Sequence, residues 1–222
     1  MRCAVLFLIS LLSFLVLSCS LMPEIHHDAG LEKTSGKAVC CRRDCLPYVE
    51  TPHRLIHAIE AQLPDGNMAL LLGVVLVDPR KETLSCVLMT PEGFVLLDAV
   101  AQKGLEEIRR GVPPFDSPAF SAGMLADIRL LLFPPPGTLQ DAGHLQNGAS
   151  ICRFADNRRS ITDVVARGKD RWEIRQYDAA GFLRRSVQLS GRREGFFEQI
   201  ELAVPGFMGY FLRMTLLEAE PL

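Results

Sequence analysis

The residues with the most site-like spacing are His53, His57 and Glu60, followed by three cysteines at 40, 41 and 45. At helical spacing, positions i, i+4 and i+7 share a face, so two imidazoles and a carboxylate converge as a metal site requires. The apolar residues Leu55, Ile56, Ile59 and Leu63 fall on a different face, which turns the histidines toward solvent, and no known metal signature surrounds them. Cys40-Cys41-x3-Cys45 has no second cysteine pair or spaced histidine pair to complete a zinc site. It allows one disulfide with a spare thiol, a weak metal cluster, or neither. Metal and cofactor are therefore both expected to be absent.

Nucleophilic catalysis finds no better footing. Ser121-Ala122-Gly123 and Ser190-Gly191 lack the Gly-x-Ser-x-Gly elbow. Gly137, Gly143 and Gly148 have no lysine placed to meet a phosphate. The expectation is a protein without enzymatic chemistry. Five arginine pairs, at 42–43, 109–110, 158–159, 184–185 and 192–193, suit lipid phosphate groups or simple solvation. The net charge of -2 provides no field for nucleic acid, which is excluded as a partner.

The amino terminus is more specific. Met1-Arg2 precedes the apolar run from Cys3 to Leu17, and Ser18-Cys19-Ser20 follows, the three parts of a secretory signal. The run is shorter than the ~20 apolar residues that span a bilayer. Val16-Leu17-Ser18-Cys19 resembles the lipobox of bacterial lipoproteins, with Leu17 larger than usual at its place. That resemblance implies cleavage before Cys19, acylation of Cys19 and attachment to a membrane. Ser20, rather than Asp, then implies outer-membrane placement facing the periplasm. Two or more acyl chains make such an anchor stable, since one chain holds only marginally. Export permits disulfides among Cys40, Cys41, Cys45, Cys86 and Cys152, and their odd number leaves at least one thiol unpaired within the chain.

The elements that must position any site divide the chain into a signal at 1–18, a lipidated cysteine and polar tether at 19–51, and one domain at 52–222. The spacing of Leu55, Ile56, Ile59 and Leu63 predicts a helix stopped by Pro64-Asp65-Gly66. Strands are predicted at 68–77, 84–90, 94–101, 150–155, 161–167, 172–177, 183–189, 196–204 and 208–217. Between them Met124 to Phe133 is apolar nearly all round and ends at Pro134-Pro135-Pro136, so that helix must be enclosed. The expected fold is α+β, a strongly curved antiparallel sheet or incomplete β-barrel enclosing two or three helices.

Four segments, Met89 to Leu97, Met124 to Leu131, Trp172 to Asp178 and Gly209 to Met214, resemble the LolA/LolB superfamily of lipoprotein carriers, and most nearly a lipoprotein branch of it. The resemblance implies a half-barrel over an apolar cavity that accepts acyl chains or lipoproteins. Leu125, Ile128, Leu132, Trp172, Phe196 and Phe211 are the candidate cavity-lining residues. The rival reading is a structural or assembly lipoprotein that docks an envelope protein partner and has a packed core with no ligand.

Overall fold

The computed structural model describes residues 22–27, 41–42 and 45–222. The expected signal, Cys19, Cys40 and most of the expected tether lie outside the described residues. Among the described residues the chain forms five strands, a helix and seven more strands. They are β1 (His53–Gln62), β2 (Met68–Asp78), β3 (Thr83–Met89), β4 (Val95–Gln102), β5 (Leu105–Gly111), α1 (Pro118–Leu132), β6 (Thr138–His144) and β7 (Ser150–Ala155). After these come β8 (Ile161–Gly168), β9 (Arg171–Tyr177), β10 (Leu183–Arg193), β11 (Phe196–Val204) and β12 (Tyr210–Pro221).

All twelve strands belong to one antiparallel sheet in the order β5-β4-β3-β2-β1-β12-β11-β10-β9-β8-β7-β6. Every sequential pair except β5 and β6 joins by a short turn, while β1 and β12 pair with each other near the centre. The two edges, β5 and β6, are the strands that α1 connects in sequence. At ~4.8 Å per strand a flat sheet of this order would be about 50 Å wide, against a helix ~22 Å long. Yet Leu84 of β3, Leu125 and Leu131 of α1, and Val164 of β8 belong to one buried cluster. The sheet therefore curls, and its concave face holds the helix.

The α+β expectation, with two or three enclosed helices, is corrected. The molecule is nearly all sheet, and among the described residues it has one helix. The stretch expected to form the first helix is β1. Its positions alternate, with Leu55, His57 and Ala61 buried and Glu60 and Gln62 exposed. Pairing with β2 on one side and β12 on the other satisfies its backbone along its whole length. Strands β5 and β6 were not anticipated, and the glycine-bearing segment around Gly143 is a strand rather than a loop.

The helix starts at Pro118, a residue suited to the first turn because its missing N–H has no partner to lose there. It closes with Phe133 N donating to Arg129 O at 2.9 Å, and three prolines prevent continuation. Gly137, at φ +94°, then lets the chain pass the β7 backbone, since a Cβ there would stand 1.9 Å from Ala155 O.

The amino-terminal segments are packed against the sheet. His26 exchanges two backbone hydrogen bonds with His144 on edge strand β6, at 2.8 and 2.9 Å. Ile25 packs on a small outer cluster of Leu145, Ile151 and Val165. Cys41 is disulfide-bonded to the inward-facing Cys152 of β7, and Leu46 and Tyr48 are buried in the main core.

Candidate functional site

The concave face has a shallow cleft where the C-terminal turn of α1 meets β1, β11 and β12. Leu55, His57, Leu132, Phe196 and Ile200 form its walls, and Pro47, Tyr48 and Val49 close it. The free volume is about 30 Å³. That is room for about one water, and roughly a tenth of an ordinary small-ligand pocket. Leu46 and Tyr48 fill the space, while Val49 N donates to Leu132 O at 3.3 Å, which ties the segment to the helix end.

Two polar groups stand in this apolar setting. His57 points inward from β1, and burial holds its imidazole down at about 4, so it is neutral at neutral pH. The Tyr48 hydroxyl is buried without a hydrogen-bond partner, and burial pushes its ionisation far up. Cys86, the free thiol among the described cysteines, is buried, and desolvation with the Asp98 carboxylate pushes it up to about 12.

A second polar constellation fastens α1 to the sheet. Asp127 of α1 accepts hydrogen bonds from Arg185 Nε of β10 and from the Tyr210 hydroxyl of β12. Arg185 also donates from Nη1 to Gln176 Oε1 of β9 at 3.0 Å. Burial raises the Asp127 carboxyl despite the opposing pull of Arg185 and Tyr210. This is a structural clamp, and it splits the 184–185 arginine pair, since Arg184 faces outward 3.8 Å from Asp178.

The expected histidine and carboxylate face does not exist. Strand period sends His57 inward and Glu60 outward, where Glu60 lies 3.7 Å from Arg213. His53 sits at the strand start, 4.6 Å from the Phe196 ring and donating or accepting at Thr51. Among the described residues no group of three or more His, Cys, Asp or Glu is arranged to hold a metal.

Of the candidate cavity residues, Leu132 and Phe196 meet in the cleft. Leu125 is fully buried in the core, and Ile128 and Trp172 pack against it half-buried. Phe211 is on the convex face, where the Arg213 guanidinium lies 5.9 Å from its ring centroid. Sequence reasoning missed His57 as an interior residue and Tyr48 altogether. The signal for Tyr48 was the run Leu46-Pro47-Tyr48-Val49 inside an otherwise polar stretch.

No protein-family model and no curated protein sequence matches the chain. Among solved structures, a LolA superfamily protein from Nitrosomonas europaea aligns at a TM-score of 0.51 and 10% identity, covering 78% of this chain and 86% of that one. A protein with a YmcC-like fold from Bacteroides fragilis aligns over 79% of this chain and 98% of its own, at 10% identity and a TM-score of 0.28. The first likeness shows that this chain has a LolA-like fold; the second is too distant to add to it.

Proposed function

We propose that this protein is a lipid-anchored, non-enzymatic envelope protein whose concave apolar face takes up acyl chains, its own or those of lipoproteins, when the segment 46–49 gives way. The observation that carries the reading is the closure itself. The half-barrel interior is sealed beside the helix end by a short segment of the chain, which follows the disulfide-bonded Cys41 and Cys45 and is tied to the helix by the Val49 N to Leu132 O hydrogen bond, with the Tyr48 hydroxyl buried beneath it. Leu46 and Tyr48 occupy apolar space as a ligand would, and displacing them exposes Leu55, Leu132, Phe196 and Ile200. Binding would come from apolar burial with few polar anchors. His57, neutral at this site, supplies one hydrogen-bonding group beside the chains.

The lipobox-like Val16-Leu17-Ser18-Cys19 supports cleavage before Cys19, acylation there, and an outer-membrane position facing the periplasm. The second reading is a docking lipoprotein with a permanently packed interior, and the small free volume of about 30 Å³ favours it. Native mass spectrometry of Cys41→Ser with Cys152→Ser protein, its closure released, extracted from membranes separates the two. A bound fatty acid or phospholipid, beyond the anchor, supports uptake; ligand-free protein supports docking. Labelling with palmitate, compared with Cys19→Ser, tests the anchor separately.

A further inference from the structure

Strand β2 is apolar on both of its faces. Val75 and Val77 are buried in the core and Leu71 packs against it, so alternation puts Met68, Leu70, Leu72, Val74 and Leu76 on the convex face. A sheet face turned away from the core ordinarily carries polar residues at such positions. The register widens the patch on both sides. Ile56 and Ala58 of β1 lie opposite Val74 and Leu72, and Val87 and Met89 of β3 lie opposite the same two residues. Leu217, the residue left over where β12 shifts register beside Ile56, adds to its edge.

Among the described residues nothing covers this stripe: Leu70 is 64% exposed, Met68 62%, Leu217 52% and Leu76 39%. With their half-buried neighbours on β1 and β3 they present roughly 700 Å² of apolar surface, beyond the ~300–600 Å² of the largest patch on an ordinary monomer. Two such faces together would bury roughly 1,000–1,400 Å², enough for a specific interface though not for a tight one. The charges at its rim are already paired within the chain. At the Leu76 end Arg54 lies 2.5 Å from Glu218 and 2.6 Å from Glu220, and at the Leu70 end Arg213 lies 3.7 Å from Glu60 and 3.2 Å from Glu201. Between these clusters the outward positions of β1 and β2 carry no charge. The rim therefore demands no oppositely charged partner, and a net charge of -2 per chain repels a second copy only weakly.

We infer that the convex face of β2 is an interface between two copies of this chain, in which the β2 strands cross antiparallel about a two-fold axis. The relief of the stripe is self-complementary in that orientation. Met68 and Leu70 stand out at one end, whereas Val74 and Leu76 are lower at the other, so each copy's raised end lies over its partner's lower end. Twisted sheets that pack face to face cross at about 30° and stand ~10 Å apart. Because each sheet curls, contact is confined to the strands beside β2, and both glutamate–arginine–glutamate clusters stay at the wet rim. Both concave faces then point away from the interface. The dimer depends neither on lipid uptake in the interior nor on an anchor at Cys19.

The test uses the full chain in the cells that express it. Two differently tagged copies are produced together, one with the photo-crosslinking residue p-benzoylphenylalanine at Leu70. Gln188, exposed on the convex side of β10, is the control position. Irradiation should join the two tags from Leu70 and not from Gln188, and peptide mapping should place the link between Leu72 and Leu76 of the other copy. Leu76→Glu in that other copy puts an unpaired charge into the interface and should lower the yield roughly tenfold or more. An unchanged urea midpoint shows that this variant is folded, and Leu217→Glu at the patch edge repeats the test if it is not. Joined tags in equal yield from Leu70 and Gln188 would overturn the dimer as chance collision. So would a Leu70 adduct to a different protein, to lipid alone, or to nothing in folded protein.

Discussion

Cys41 and Cys152 are bonded across 111 residues of sequence, with their Cα atoms 5.7 Å apart. The bond ties a segment that precedes the first strand to the inner face of β7, close to one edge of the sheet. Cys45 is disulfide-bonded as well. Cys41 and the residues from Cys45 to Val49 are thereby held over the interior before the chain enters β1 near the sheet centre.

Removing that tie should have two separable effects. In Cys41→Ser with Cys152→Ser, the unfolded chain regains a long loop's entropy, a loss of about 2–5 kcal/mol of stability by urea denaturation. Amide exchange at Leu46, Tyr48 and Val49 should rise far more than exchange in β10 or β11. Uniform acceleration throughout the sheet would mean that the segment is integral to the core and not a closure.

Asp127 should be among the most sensitive positions in the molecule. Asp127→Ala leaves the Arg185 guanidinium and the Tyr210 hydroxyl facing an empty site, at a cost of about 3–5 kcal/mol. Asp127→Asn keeps an acceptor in place and should cost less. Equal denaturation midpoints for Asp127→Ala and the parent would show that α1 is held by apolar packing alone.

His57 predicts a pH dependence with a definite sign. Its folded-state value is depressed from 6.5 to about 4, so the unfolded chain binds the proton first as pH falls. The stabilisation is present above about 6.5 and is lost as pH falls through about 4, an amount on the order of 3 kcal/mol. The raised Asp127 carboxyl acts in the opposite sense, since the folded state takes up its proton first and gains stability as pH falls. Comparing the parent with His57→Leu by urea denaturation at neutral pH and near pH 4.5 isolates the histidine, because the Asp127 contribution is common to both. An identical pH slope in the two proteins would contradict the burial of a neutral imidazole.

Gly143→Ala tests the cover on edge strand β6. A Cβ there meets His26 O at 2.5 Å and Ile25 Cγ2 at 2.7 Å, so the amino-terminal segment must shift. Protection of the His26 and His144 amides should fall. An uncovered edge invites pairing with a second chain, which light scattering would report as increased association. Unchanged protection and scattering would show that the bridge tolerates the methyl group.

Legibility in the sequence followed burial. The enclosed helix was readable because Met124 to Phe133 has almost no polar face, which only a wrapping sheet can accommodate. Strand β1 was misread because it is central. Its outward Ile56 opposes Val74 of β2, so both faces are apolar and the alternation is masked. Strands β5 and β6 escaped for the opposite reason: as edges they bury little, and Leu105-Glu106-Glu107 and Thr138-Leu139-Gln140 are exposed. The closing residues Leu46 and Tyr48 lay in a stretch read as tether, since burial against strands over a hundred residues later has no local signature. Nor did spacing reveal that Cys41 would choose Cys152.

The central claim is that the interior opens to acyl chains when its closure is released. A fluorescent fatty acid titrated into the oxidised protein and into Cys41→Ser with Cys152→Ser tests it most directly, with circular dichroism confirming that both are folded. The account predicts weak or no uptake by the oxidised form and saturable uptake at one site by the released form, abolished by Ile200→Glu in the cleft wall. Folded protein that binds no fatty acid in either form would contradict it.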